Sequence, residues 1–147
     1  MGLRREGREM ALQTLYLSDS CKIPLEAALT TTLAGIPSGP VREFCRHLVE
    51  GMVVHQERID ALLSRYTENW ELKRMAAVDR NILRLSTFEL LSDLETPVSV
   101  IIDEAIEIAK IYSTEDSGKF VNGILDKIKN ERKETPKPDE GADLKGN

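Results

Sequence analysis

Strand signals are nearly absent from this sequence: no stretch alternates apolar and polar residues between turn-formers over strand length. That excludes a sheet-based fold. Histidine is scarce, with two in 147 residues, and cysteine equally so. Neither Cys45–His47 nor His55 has metal-ligand spacing, since residues two apart on a helix point away from each other. Cys21 and Cys45 stand outside any CxxC pattern and read as reduced, partly buried thiols of a cytoplasmic protein. No apolar run is long enough to span a bilayer, so no membrane association is expected. The first residues, MGLRREGRE, have no apolar segment of the kind a secretory signal needs. Glu6 stands where a myristoylation motif has Ser or Thr. Aromatics make up 5% of the chain. The net charge of −5 excludes a uniformly basic coat and leaves room for a local basic patch.

What is present is helical periodicity. Ala11, Leu12, Leu15 and Tyr16 stripe a first helix from Arg4 to about Leu17. Pro24 suits the opening of a second, closed by Gly35 and Pro37. Pro40 opens a third, with Val41, Phe44, Cys45, Leu48 and Met52 on one face. The stripe resumes after a break near His55 with Ile59, Leu62, Leu63 and Tyr66. Trp70 and Leu72 mark a turn. Val78, Ile82, Leu83, Leu85, Phe88 and Leu91 define a fifth helix, and residues 92–96 a loop. PVSVIIDEAIEIAKIY, apolar almost all round, is expected to be the central and most buried helix. A seventh runs from about Ser117 to Arg132. With 41% hydrophobic and 31% charged residues, the chain fits one all-α domain over residues 1–133. A polar tail with two prolines, expected to be disordered, follows over 134–147.

Catalytic constellations are thin. Asp103 and Glu107 share a helix face, but no histidine completes a di-metal motif. Pairing of Asp103, Glu104 and Glu107 with Arg84 or Lys110 is the expected use. Ser117-Gly118-Lys119 lacks the first glycine of a phosphate loop. No enzyme activity, cofactor or metal is expected.

Charge placement is more informative. Arg4, Arg5 and Arg8 crowd the positive end of the first helix's macrodipole, where cations are unfavourable by a few tenths of a kcal/mol. Two readings stand: a site arranged for an anion, or a solvated terminus neutralised by Glu6 and Glu9. Lys119, Lys127, Lys129, Arg132 and Lys133 make the last helix loosely basic, with Phe120 as either core or a base-stacking ring. The glycines of SGKFVNG also admit two uses. Gly118 could let the chain turn into the helix, and Gly123 could allow tight packing against a neighbour.

Three segments, RREGREMALQTLY, NWELKRMAAVDRNILRLSTFELL and PVSVIIDEAIEIAKIYSTEDSGKFVNGILDKI, closely resemble the NusB family of bacterial transcription antitermination factors. The likeness runs in order from Arg4 to Ile128. It implies about seven helices in two three-helix bundles, helices 1–3 against helices 4–7. It also implies binding of single-stranded boxA RNA in ribosomal RNA transcripts. The implied protein partner is NusE, a small-subunit ribosomal protein, within an antitermination complex on RNA polymerase. Carried over by motif, the RNA-binding residues are Arg4, Arg5, Arg8, Lys119 and Phe120. Asp116 lies at the mouth of the last helix, facing the RNA. Asp79 and Arg80, in VDRNILRL, are the implied NusE contacts. Glu6 and Gly7 interrupt the arginine run found in some members, which implies weak RNA affinity without NusE. Some members are monomers and others homodimers that cover the RNA surface. The alternative function is a helical protein–protein adaptor with incidental RNA contact.

Overall fold

A computed structural model describes residues 2–67 and 72–134; Trp70 and the tail from residue 135 lie outside the described residues. Seven α-helices occur among them: α1 (Gly2–Ser20), α2 (Leu25–Leu33), α3 (Pro40–Val54), α4 (Gln56–Tyr66), α5 (Ala77–Ser92), α6 (Val98–Tyr112) and α7 (Glu115–Glu134). A single 3₁₀ turn, Leu72–Arg74, precedes α5. The chain is all-α, as the periodicity requires.

Local chemistry sets the boundaries. Pro40 occupies the first turn of α3, where its missing N–H costs no hydrogen bond. Pro24 and Pro97 sit one residue before α2 and α6. Gly35, at φ +84°, supplies the left-handed residue that turns the chain after α2. At His55 the N–H bonds back to Gly51 and Met52 carbonyls, ending α3 as α4 begins. Thr114, with its Oγ1 accepting the Ser117 N–H at 3.0 Å, caps α7. The helix therefore opens two residues earlier than the sequence suggests, and Asp116 sits in its first turn without being the cap.

Helices α1, α2 and α3 pack as one bundle, and α5, α6 and α7 as a second, with α4 laid against α5 and α7. The core joins both through Leu12, Leu15, Leu48, Met52, Leu83, Phe88, Ala105 and Leu125.

The expectation of a central α6 is corrected here. Residues 81–90 of α5 are all buried, because α5 packs on α1, α3, α4, α6 and α7. Helix α6 buries one face (Ile101, Ile102, Ala105, Ile108 and Ala109) and leaves Val100 and Ile111 exposed. Most of the buried polar side chains of α5 have partners, Thr87 Oγ1 being an exception. Arg84 donates to both carboxylate oxygens of Asp60, at 2.9 and 3.0 Å, and to Asp19. Asn81 donates to Asp19 at 3.0 Å. Burial raises the Asp19 pKa, but hydrogen bonds from Asn81 and Arg80 outweigh it and hold the carboxyl below its ordinary range.

The acids of α6 also differ from expectation in their partners. Glu107 pairs with Lys110, but Arg84 turns to Asp60 and Asp19, and Asp103 is exposed. The cysteines divide: Cys21 is exposed, while Cys45 is fully buried and its thiol is pushed up to about 11 by burial.

Candidate nucleic-acid interface

The basic start of α1 is largely neutralised by acids from distant parts of the chain. Arg8 is 6% exposed and donates from Nε and Nη2 to the two carboxylate oxygens of Glu89, at 2.9 and 2.8 Å. Glu89 itself is 3% exposed, so this is a buried fork-to-fork pair. Arg5 makes the same kind of pair with Glu104 of α6, Nη2 to Oε2 being 3.0 Å. That hydrogen bond raises the Arg5 guanidinium pKa and, against the opposing effect of burial, lowers that of Glu104. The anion favoured by the positive end of α1 is thus supplied from within the protein. Arg4 differs: its side chain is 55% exposed, with one nitrogen 3.5 Å from Asp93 and the guanidinium 4.3 Å above the Phe44 ring. Gly7 makes that stacking possible, since a Cβ there would lie 2.8 Å from Phe44 Cδ2.

The start of α7 is built differently. Its first turn carries Glu115 and Asp116, which suit the helix dipole. Asp116 and Lys119 are exposed, and Lys119 has no ion pair among the described residues. Phe120 is half-buried and packs against the core, so its ring is anchored along one side. The close packing expected at Gly123 is found at Gly118 instead. Gly118 is the close approach: a Cβ there would lie 3.3 Å from Lys110 Cγ and 3.5 Å from Ile106 Cγ2 of α6. Gly123 faces open space.

No hydrogen bond or ion pair among the described residues joins the arginines to Lys119 or Phe120. Helix α6 stands between them, with Glu104 holding Arg5 and Lys110 meeting Gly118. Six residues separate these anchors, about 9 Å along the axis and on different flanks at about 100° per residue. A second link runs along α1. Tyr112 Oη donates to Glu9 at 3.1 Å and accepts from Gln13 Nε2 at 3.1 Å. Beside it lies an open groove of about 510 Å³, lined in part by Gln13, Tyr16, Leu17, Val78 and Tyr112. Its far end reaches Tyr112, just before the Thr114 cap of α7. Tyr16 and Tyr112 are residues that sequence reasoning missed as surface groups. Tyr16 continues an apolar stripe in the sequence, yet it is 38% exposed.

Asp79 and Arg80 are not presented as free charges. Asp79 is 9% exposed; its Oδ2 accepts from Ser117 Oγ at 3.2 Å, and its Oδ1 has no protein partner. Burial raises its pKa, partly offset by the Ser117 hydrogen bond. Arg80 donates to Asp19 at 2.9 Å and to the Leu72 and Met75 carbonyls at 3.2 and 2.9 Å. Together they pin the corner where α1, the 3₁₀ turn, α5 and α7 meet.

Among the described residues no group of His, Cys, Asp and Glu could hold a metal ion, and no helix is long and apolar enough to cross a membrane.

The family model described as "NusB family" matches residues 5–130. Transcription antitermination protein NusB of Elusimicrobium minutum is 45% identical over 142 residues, covering 90% of this chain and 97% of that protein. The solved structure of T. maritima NusB superposes with a TM-score of 0.81 at 43% identity, over 90% of this chain and 97% of that one. A crystal structure of antitermination factors NusB and NusE in complex with dsRNA contains a chain that superposes at a TM-score of 0.79. That chain is 28% identical, and the match covers 89% of this chain and 98% of it. By its motifs, its seven-helix architecture and these likenesses, the chain belongs to the NusB family.

Proposed function

We propose that this protein is an RNA-binding antitermination factor. It holds the boxA element of ribosomal RNA transcripts together with NusE, as part of a complex that helps RNA polymerase resist premature termination. The observation that carries the reading is the likeness, over 89% of the chain, to a chain in the crystal structure of antitermination factors NusB and NusE in complex with dsRNA. The surface chemistry supports it. Arg4, at the start of α1, and Lys119, near the start of α7, are exposed cations, and the Tyr16–Tyr112 groove lies open beside the later part of α1 and the end of α6. Exposed cations together with accessible rings suit single-stranded RNA, whose unstacked bases have faces to offer.

The residues divide the work. Arg4 and Lys119 neutralise phosphates directly. Arg5 keeps Nη1 outside its fork with Glu104 and adds a third, pre-oriented contact. Arg8, buried on Glu89, supports the other two from below. Phe120 offers the free side of its ring to a base. Asp116 sets a negative charge beside the backbone and limits affinity. Asp79 and Arg80 serve NusE binding by fixing the corner at the start of α5. Asp79→Arg would consequently disturb folding as well as any partner face, because the new side chain would have to replace a buried carboxyl.

An adaptor that binds protein alone is the second reading, favoured by the internal pairing of Arg5 and Arg8. Titration of single-stranded boxA RNA into the protein, with and without NusE, separates the two. The expected result is weak binding alone, tighter binding with NusE, and preference over both a scrambled strand and a duplex. Binding of NusE with no RNA affinity in either state would leave the adaptor. Sedimentation of the same samples reads whether a homodimer dissociates as RNA binds.

A further inference from the structure

A run of rings and cations leaves the RNA face at Arg4 and continues across α3 and α5. Arg4 lies over Phe44; the Phe44 and His47 rings are nearly parallel, 22° apart with centroids at 6.5 Å. His47 meets Phe88 at 5.7 Å, and His55 stacks on Phe88 at 6.1 Å and 21°. Phe88 is buried, whereas both histidines are exposed. Gly51 is what lets the Phe88 ring pass beneath α3, since a Cβ there would lie 2.1 Å from Phe88 Cζ.

The run ends in a cleft of about 250 Å³. Ile59, Phe88 and Leu91 give it an apolar floor, and His55, Arg58 and Ser92 a polar rim. Ser92 Oγ already donates to the Phe88 carbonyl at 2.6 Å. Arg58 is exposed and has no hydrogen bond or ion pair among the described residues. In a molecule that neutralises Arg5, Arg8, Arg80 and Arg84 internally, an unpaired arginine over a flat apolar floor lacks a structural use.

We propose that this cleft takes one nucleotide of a single-stranded RNA running on from Arg4. The base lies on the floor against the His55 ring, and its phosphate meets Arg58. A planar ring fits an apolar slot flanked by an imidazole, and a cation at the rim complements the phosphate that a base carries with it. The site extends the RNA track to the opposite side of α1 from the Tyr16 groove. It rests on the RNA-binding reading above and adds a contact to it.

Two RNAs test it: one long enough only for the face between Arg4 and Lys119, and one extended by several nucleotides at both ends. His55→Ala and Arg58→Ala remove exposed side chains, and the N–H that ends α3 is kept in the first. A melting curve for each checks that the fold is retained. The longer RNA should bind about tenfold tighter than the short one, the scale of one stacked base. Each variant should remove that gain while leaving the short RNA unaffected. Arg58→Ala should also flatten the log–log salt slope for the long RNA by about 0.7, one phosphate contact on a single strand. The proposal is overturned if the longer RNA gains nothing, or if the gain survives both variants. It is equally overturned if the variants weaken NusE binding and leave both RNAs unchanged, which would make the cleft a protein-docking surface. Failure of the short RNA to bind would instead remove the RNA-binding reading itself, and this site with it.

Discussion

The first turns of α1 and α7 are both dense in charge, and the fold treats them in opposite ways. In α1 three arginines stand at the positive end of the helix dipole, and acids reaching in from α5, α6 and the loop between them offset that placement. Arg8 and Arg5 are fixed in forks, and only Arg4 remains largely in solvent. In α7 the acids Glu115 and Asp116 occupy the first turn themselves, and Lys119 follows without an ion pair among the described residues. A basic run in sequence is therefore not the same thing as basic surface. At the start of α1 most of the positive charge is structural, while near the start of α7 Lys119 is exposed and has no ion pair among the described residues.

The largest effect that tests this contrast is on stability. Glu89→Ala would remove the Arg8 fork and leave only Glu104, 3.5 Å from its Nη1, and breaking one side of a buried pair costs up to about 3–5 kcal/mol. Urea denaturation of the variant should show that loss, whereas Lys119→Ala should fall within about 0.5 kcal/mol of the parent. Equal, small effects from both would erase the distinction between the two helix starts.

Asp116→Asn probes the α7 side by function. Deleting the charge should tighten RNA binding several-fold, most clearly at low salt where screening is weak. Because Thr114 provides the cap, stability should drop by no more than about 1 kcal/mol. Weaker RNA binding at an unchanged melting temperature would mean that Asp116 contacts the RNA favourably, as an acceptor for a base.

Glycine substitutions sharpen the packing side. Gly123→Ala, into open space, should stabilise α7 by up to about 1 kcal/mol. Gly118→Ala should gain less, since its methyl would lie 3.3 Å from Lys110 Cγ and must push that side chain aside. Thermal melts that rank the two the other way would restore the roles that the sequence suggests.

The smallest effect is the pH dependence of Asp79. Its pKa is raised in the fold, so the ionised form opposes folding. The group favours the native state most below the ordinary aspartate range, and that contribution is lost as pH rises through the raised value. Asp79→Asn, which can still accept from Ser117, should melt higher than the parent at neutral pH. The gap should close as the pH is lowered into the carboxylate range. A gap that is constant with pH would mean that the carboxyl is not perturbed by burial.

Much of the fold was legible because the apolar stripes of α1, α3, α4 and α5 repeat with helical period and Pro24, Pro40 and Pro97 stand at helix starts. The centrality of α5 was not, because its buried polar residues look like a solvated face until their partners are located. Glu89 meets Arg8 across 81 residues, and Glu104 meets Arg5 across 99. No local pattern encodes such pairs. For the same reason the site was legible as a set of residue types, whereas their availability was not: Arg4 and Arg8 look alike in sequence and differ almost completely in exposure. The roles of Gly118 and Gly123 depend on how closely α6 approaches, which spacing along α7 does not reveal.

The most direct test of the account is the salt dependence of single-stranded boxA RNA binding in Arg4→Ala/Lys119→Ala, set beside the parent. Two exposed cations that each neutralise a phosphate should together flatten the log–log slope by about 1.4, at ~0.7 per contact for a single strand. Melting temperature should be nearly unchanged, because neither side chain belongs to a buried pair. An unchanged slope in the folded double variant would contradict the account and move the RNA to another face of the molecule.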